Sequence, residues 1–513
     1  MCEHRAWLTP AIGLCPVGVF AALGVFSFCD DGFWRLVLPM SIPSSPARET
    51  DSESVPYGDI DLANGEGRRR KAALVLFAVW GLVLALHYSD SGQLLVWGLT
   101  AIASVHLFRL LIGKPDHIVL PAAEDSAVDG LDALPFVSVL VSAKDEEAVV
   151  GRLVEQLDQV DYPRDRYEAV VIDDASGDRT PALLDELAGK SQSVIAVHRK
   201  PGAGGGKSGA LNAVIPKTKG DILAIFDADA QFSPDLFRRV VPLFQSATLG
   251  AVQLQKSVAQ TVLNQPERHN LWVQGQTAEM QLDCCLQQQR ISADGIGELR
   301  GNGQFLRRAA LDDCRGFNEE TITDDLDLTL RLHLKGWNIE AVTEPAVIEE
   351  GVTTAKALWH QRNRWAEGGY QRYLDYWQSL GRNQMGSAKT FDMAMFCVFQ
   401  YLLPQAVIPD VLMAILRQEA TVLTPLLTLT FGFSTAMMFM GLRRGAIARS
   451  KTSNSSSFSL GETLMQTAVG SVYMAHWFVV ISTMGIRISI RPKRLKWVKT
   501  VHQGSDDSPI AIS

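Results

Sequence analysis

Arg68-Arg69-Arg70-Lys71 stands directly before an apolar run from Ala72 to His87, and a polar turn, Ser89 to Gln93, leads into a second run, Leu94 to Ile112. Each run approaches the length of a bilayer-spanning helix, and so short a link allows only an antiparallel helical hairpin. The basic cluster places the open ends of that hairpin, over residues 68–113, on the cytoplasmic side. Whatever follows residue 113 is therefore expected to fold against the cytoplasmic face. Three more apolar segments lie near 393–416, 421–441 and 464–486, and the basic stretch Arg491 to Lys499 closes the chain. Three full crossings would put that basic tail, 491–513, on the wrong side. The segment holding Pro404, Pro409 and Asp410 is the one expected to bend or to lie in the interface rather than to cross.

Between the two apolar regions, residues 133–390 are soluble in character. Of the 513 residues, 47% are hydrophobic and 20% charged, which excludes a disordered or fibrous chain. A net charge of −8 argues against nucleic acid as a partner. Cys2, Cys15, Cys29, Cys284, Cys285, Cys314 and Cys397 form no CxxC pair and read as buried thiols without a metal. Residues 1–67 are expected to be mostly a disordered extension. The apolar stretch 8–29 reads as a membrane or signal-like segment or, preferably, as part of an over-extended start with translation beginning at Met40.

Three β-branched runs punctuate the soluble region. Pro135 to Glu147 ends in charge, Ala169 to Ile172 ends in Asp173-Asp174, and Ile222 to Phe226 ends in Asp227-Ala228-Asp229. Strands alternating with helical stretches, with acids at their carboxyl ends, describe an α/β sheet with its site along that edge. One such Asp is better explained as a helix cap; acids after two strands are not. Two carboxylates at i and i+2 on a strand end can approach one hard cation, Mg²⁺ or Mn²⁺, beside a diphosphate. The same spacing in Asp59-Ile60-Asp61 and Asp325-Leu326-Asp327 does not follow a buried strand.

Gly202 to Ser208 suggests a P-loop, but Pro201 stands where the motif needs glycine, so Lys207 is read as a diphosphate contact on a glycine-rich loop. Thr323-Asp324-Asp325 opens an amphipathic helix, where a carboxylate either caps the helix or acts as a general base. The guanidinium and indole groups of Gln361-Arg362-Asn363-Arg364-Trp365 suit diphosphate and sugar contact, or alternatively a basic aromatic helix on lipid headgroups. Arg307, Arg308 and Arg362 are read as solvated charge. Gly301-Asn302-Gly303 lies between the metal and base motifs, where an acceptor approaches, or is simply a glycine-permitted turn.

In this order the motifs resemble those of the inverting family 2 glycosyltransferases, whose GT-A domain carries an Asp pair, DxD, TED and Q-x-x-R-W. The resemblance covers 135–380, and its flanking helices match the membrane synthase branch. It implies a Rossmann-like GT-A domain inserted between transmembrane helices. Glu146, Asp173, Asp174 and Lys207 would contact the donor, with Asp227 and Asp229 holding nucleotide and metal. Asp325 would be the base, with Asp324 the other candidate because it replaces the Glu of TED. Gln361, Arg364 and Trp365 would clamp the diphosphate, and Trp365 with Gly301, Asn302 and Gly303 would line the acceptor mouth. The stretches 204–212, 295–305, 319–334 and 358–377 are similar to the cyanobacterial glycolipid-forming members. That likeness implies UDP-glucose as donor, diacylglycerol as acceptor and a plasma or thylakoid membrane location. A processive polysaccharide synthase shares the motifs, but its channel needs more helices than are counted here. A non-catalytic scaffold or transporter would have lost some of the motifs, and none is lost.

Overall fold

The computed structural model describes residues 26–28, 34–36, 65, 67–115, 120, 134–262, 269–452 and 459–491. In the N-terminal unit, Met1–Tyr57, strand β1 (Phe26–Phe28) pairs antiparallel with β2 (Trp34–Leu36). The end of the 8–29 segment is thus extended rather than helical. The remaining expectations for residues 1–64, the Met40 start included, and for the tail beyond 491 lie outside the described residues.

In the larger unit, the two leading apolar runs form α1 (Arg68–Tyr88) and α2 (Gly92–Ile112). Their outward side chains, Leu74, Phe77, Leu94 and Phe108 among them, are exposed, which a bilayer rather than water would cover. Seven strands follow in one sheet: β3 (Val137–Ala143), β4 (Tyr167–Asp173), β5 (Val194–His198), β6 (Ile222–Asp227), β7 (Leu249–Val258), β8 (Gln304–Arg307) and β9 (Asn338–Glu349). Their order is β5-β4-β3-β6-β8-β7-β9, with β8 antiparallel to both neighbours and the other pairs parallel. Helices cover both faces, so the central strands are buried on both sides and read as continuous apolar runs. Val137, Val139 and Val141 pack under α3 (Val150–Asp158) with Leu153 and Leu157. Leu140, Ile172 and Ile225 face α5 (Gly206–Val214), while α4 (Thr180–Ala188) joins β4 to β5. Each such side chain, withdrawn from water, contributes about 1.5–3 kcal/mol.

The chain runs outward from β3 through β4 to β5 and then returns to β6 on the other side of β3. That reversal opens a crevice at the strands' carboxyl ends. Register puts Asp227 level with Ser142, and Asp173 level with Ala143, so both acidic ends reach the same edge.

The second half adds α6 (Leu271–Ser292), α7 (Asp324–Leu334), α8 (Ala355–Asp375), α9 (Ser387–Cys397), α10 (Leu403–Arg417), α11 (Thr424–Thr452), α12 (Leu460–Met474) and α13 (His476–Ile490). A π-helical turn, Val398–Leu402, joins α9 to α10. Among the described residues, five helical segments are long and apolar enough to cross a membrane: Arg68–Tyr88, Gly92–Ile112, Ser387–Arg417, Thr424–Ile447 and Leu460–Ile490. Helix α6 mediates between sheet and membrane helices. Its Ala278, Leu282 and Cys285 pack on Met437, Met438 and Leu442 of α11, where Gly441 lets the backbones approach at Gln281.

Asp410, the acid in the third apolar segment, is fully bonded. It accepts from His87 Nε2 at 2.8 Å and from the Val422 and Leu423 amides at 2.9 and 3.2 Å, tying the end of α1 to the start of α11.

Candidate active site

At the β6 edge, Asp227 Oδ1 lies 2.5 Å from Lys207 Nζ, which also donates to the Gly301 carbonyl at 3.0 Å. Lys207 sits in the first turn of α5, behind Gly205 at φ 83°. The glycines bring the lysine across the strand ends without a P-loop. Burial alone would raise the Asp227 pKa, but Lys207 outweighs it and holds the carboxyl below its usual range. Asp324 and Asp325, at the start of α7, face the same lysine, whose pKa they help to raise against the effect of burial. Arg364 also faces Asp227, Asp325 and Asp324, while its burial pulls its own pKa down. Three carboxylates thus share two cations at one strand edge, which suits a site completed by a cation and a diphosphate.

Asp229 is buried and accepts the Glu350 amide at 3.0 Å through Oδ2, so the end of β9 backs the second acid of the pair. Among the described residues no group of three or more His, Cys, Asp or Glu forms a closed metal cage. Two hard oxygen donors on a strand end fit a divalent ion that draws its remaining ligands from a diphosphate and water.

Asp325 has its pKa pushed up to about 6, first by burial and then by the neighbouring Asp324. Its Oδ1 accepts the amide of Leu326 at 2.9 Å. A Cβ on Gly301, at φ 86°, would stand 3.3 Å from Asp325 Oδ2, so glycine keeps the space before this carboxylate open. Trp365 is held by two cations: Lys256 Nζ lies 5.0 Å from its ring centroid and the Arg362 guanidinium 4.1 Å. Lys256 in turn pairs with Glu349 at 3.1 Å.

Several expected contacts are placed differently. Asn302 is fully buried; its Oδ1 accepts the Asp227 amide at 3.1 Å and its Nδ2 donates to Glu349 at 3.3 Å. It ties the end of β6 to the end of β9. Gly303, at φ 70°, packs against Val347 and Leu254 in the sheet. Arg362 is not solvated: at 1% exposure it pairs with Glu279, which also accepts from Tyr473 at 3.3 Å and from Trp477 Nε1 at 2.7 Å. Gln361 accepts from Arg362 at 2.6 Å. Arg307 and Arg308 are likewise engaged, with the carbonyls of Phe244 and Leu249 and with those of Gly220 and Ile215. Asp327, in the second DxD spacing, pairs with Arg331 at 2.7 Å and is structural.

The Asp pair at the end of β4 has its own partners at the same edge. Asp174 pairs with Arg199 at 2.5 Å, and Asp173 accepts from the Ser176 amide at 3.1 Å and meets His198 Nδ1 at 3.3 Å. Glu146 is buried, with its amide bonded to Thr180 at 2.8 Å.

Asp325 and Trp365 line a cavity of about 210 Å³. Its wall includes a charge network unmarked by any motif. Glu298 meets Arg290, Arg300 and Arg372 at 3.5, 2.7 and 2.9 Å, Arg300 pairs with Asp283 at 2.7 Å, and Arg290 with Asp392 at 2.8 Å. These partners come from α6, α8, α9 and the loop before β8, so sequence spacing carried no signal of them.

The sheet has GT-A architecture, and the comparisons make the chain a glycosyltransferase, a hexosyltransferase in reaction class. The chain belongs to glycosyltransferase family 2: residues 135–368 match the family model described as glycosyltransferase like family 2. A β-monoglucosyldiacylglycerol synthase of Trichormus variabilis is 49% identical over 94% of this chain and 99% of its own length. One from Synechocystis is 48% identical over 90% of this chain and 94% of its own. A solved mannosyltransferase of Pyrobaculum calidifontis is 18% identical at TM-score 0.43, covering 80% of this chain and 96% of its own.

Proposed function

We propose that this chain transfers glucose from UDP-glucose to 1,2-diacylglycerol with inversion, yielding β-monoglucosyldiacylglycerol at the cytoplasmic face of a photosynthetic membrane. The carrying observation is the likeness, at 48–49% identity over nearly the whole chain, to relatives named for that product. The names of those relatives do not favour the processive alternative.

In this reading Asp227 and Asp229 hold Mg²⁺ or Mn²⁺, which offsets the charge of the departing diphosphate. Lys207 and Arg364 add fixed positive charge on the same side, and Asp173, Asp174 and Glu146 border the nucleoside end. Asp325 takes the proton of the acceptor hydroxyl as its oxygen attacks the anomeric carbon in line and UDP leaves. The raised pKa suits a base working near neutrality, since it remains mostly ionised there. Trp365, steadied by Lys256 and Arg362, offers a flat apolar face to the sugar or the acceptor mouth. An α-linked donor then gives a β-linked product. Proton NMR of the isolated glycolipid should show the large anomeric coupling of a β-glucoside; an α-glucoside would contradict in-line displacement.

Two contacts support a reading of the membrane topology. Arg68 at the start of α1 pairs with Asp375 at 2.5 Å, and Arg487 near the end of α13 bonds Asn363, so both ends of the helical part meet α8. An even number of crossings is required. His87 lies about 30 Å along α1 from Arg68 at ~1.5 Å per residue, and Asp410 meets it there, so α9–α10 spans. We therefore assign the odd segment to α12–α13, which turns at Ala475 and packs on α6 through α12 and on α1, α8 and α10 through α13. Sequence alone pointed instead to 393–416 as the segment that fails to cross.

A further inference from the structure

Helices α2 and α11 lie side by side, yet they leave a groove of about 630 Å³ between them. Small residues on one face of a membrane helix usually let a neighbouring backbone approach. Gly441 of α11 does so, since a Cβ there would collide with the Gln281 carbonyl of α6. Gly432, on the same helix, does not. Among the described residues no atom lies within 4 Å of a Cβ on Gly432, and the space beside it, with Ala436 one turn on, belongs to the groove. Val105 and Phe108 of α2, both 62% exposed, form a rim that opens outward from the helices. Leu111 and Phe433 are half-buried and form its inner part. The wall is mostly apolar; Ser104, one of its two hydroxyl residues, donates to the Thr100 carbonyl of its own helix at 2.7 Å.

The groove and the cavity before Asp325 adjoin one layer of side chains. Leu111 and Phe433 pack on a cluster that contains Leu282 of α6 with Met437 and Met438 of α11, and Leu286 and Met474 pack on the same cluster. Leu282, Leu286 and Met474 in turn line the cavity. Unbranched methionines adapt their shape, so a layer built on them can repack around a chain. Size and charge direct a lipid the same way. The cavity, at about 210 Å³, is smaller than the roughly 300–1,000 Å³ of sites that enclose a whole ligand. A lipid with its hydroxyl before Asp325 must therefore carry its chains elsewhere. Asp283, Glu298, Arg300 and Arg372 make one part of the cavity wall charged, and an alkyl chain laid there would desolvate them without a compensating bond. The apolar part leads past Leu282 and Met474.

We propose that the groove between α2 and α11 holds an acyl chain of the acceptor lipid while the free hydroxyl stands before Asp325. The inference rests on the lipid-acceptor reading and deepens it by giving the chain a place among the membrane helices. A short chain ends within the cavity and its apolar wall; a long one passes Leu282 and enters the groove. The groove thus selects by chain length and belongs to the substrate, whereas a bulk lipid resting there would leave catalysis untouched.

The test measures kcat/KM for dioleoylglycerol and for short-chain dioctanoylglycerol in mixed detergent micelles with UDP-glucose. Gly432→Phe fills the groove; Gly98→Phe, at an exposed glycine of α2 outside the groove with equally open surroundings, is the control. Gly432→Phe should lower kcat/KM for dioleoylglycerol about tenfold, mainly through KM, and change it by less than about twofold for dioctanoylglycerol. Gly98→Phe should leave the ratio between the two lipids as in wild type. An unchanged ratio in Gly432→Phe, or the same shift in both variants, would overturn the inference alone. If Gly432→Phe fails to fold, read as lost UDP binding in calorimetry, wild-type protein decides. A diacylglycerol carrying a diazirine near the end of one long chain should then label residues 104–111 or 428–436 on irradiation. Dioleoylglycerol should compete and phosphatidylcholine should not. Labelling confined to other segments, or displaced equally by phosphatidylcholine, would contradict the assignment. Wild type that glucosylates neither lipid but forms polymer would sink the function reading and this inference together.

Discussion

In the proposed reaction, Asp325 occupies the position on which the chemistry turns. It is screened by burial, flanked by Asp324, and kept open by the absent side chain of Gly301. Replacing it with Asn keeps the shape and removes the base, so glucosyl transfer should fall by about 10²–10⁴. UDP binding measured by calorimetry should stay within a few-fold; lost binding in a folded variant would move Asp325 from base to donor ligand. The carboxyl must be ionised to accept a proton, so kcat/KM should fall as pH drops through about 6, in a limb belonging to the Asp324–Asp325 pair. At one unit below that value the rate should be about a tenth of its plateau. A profile flat from pH 5 to 8 would exclude this carboxylate as the base. The Asp227–Asp229 pair and the Asp324–Asp325 pair were legible in the sequence because each acid follows a strand or opens a helix within a few residues. Asn302, Glu349 and Lys256 were not, because they act on Asp227 and Trp365 across the sheet, and cross-sheet neighbours leave no spacing in the chain.

At the scale of elements, α8 carries two kinds of residue on one surface. Arg364 and Trp365 turn toward the acidic edge, while Arg362 turns away to a buried cluster with Glu279, Tyr473 and Trp477. Sequence alone set Arg364 and Trp365 at the donor and read Arg362 as solvated charge, since a buried guanidinium and an exposed one are written with the same letter. The cluster joins α6, α8 and the α12–α13 turn. Arg362→Ala would leave the Glu279 carboxylate buried without its cation, a change that costs about 3–5 kcal/mol. The thermal midpoint in detergent should drop accordingly, more than for alanine at the exposed Lys356 on the same helix; equal midpoints would mean the pair contributes little. The central strands and α1 and α2 were read from apolar runs alone, because length and hydrophobicity fix them. The π-turn and the break at Ala475 were not, because Pro404 and Pro409 signal an irregular helix without saying which contacts it makes. Asp410, suspicious as an intramembrane charge, turns out to be held by His87 and two amides.

As a whole molecule, the chain sets a GT-A domain against membrane helices with α6 and α8 between them, so that the cavity at the base lies beside the bilayer-facing layer. A divalent ion at Asp227 and Asp229 is part of the account, and chelation by EDTA should abolish transfer, with Mg²⁺ or Mn²⁺ restoring it. Activity persisting in EDTA would remove the metal from the site. The central claim, transfer of glucose to a single lipid, is tested most directly with detergent-solubilised full-length protein, radiolabelled UDP-glucose, Mg²⁺ and diacylglycerol, with products resolved by thin-layer chromatography. The account predicts one discrete chloroform-soluble spot of monoglucosyl lipid; label confined to a water-insoluble or size-heterogeneous polymer would contradict it.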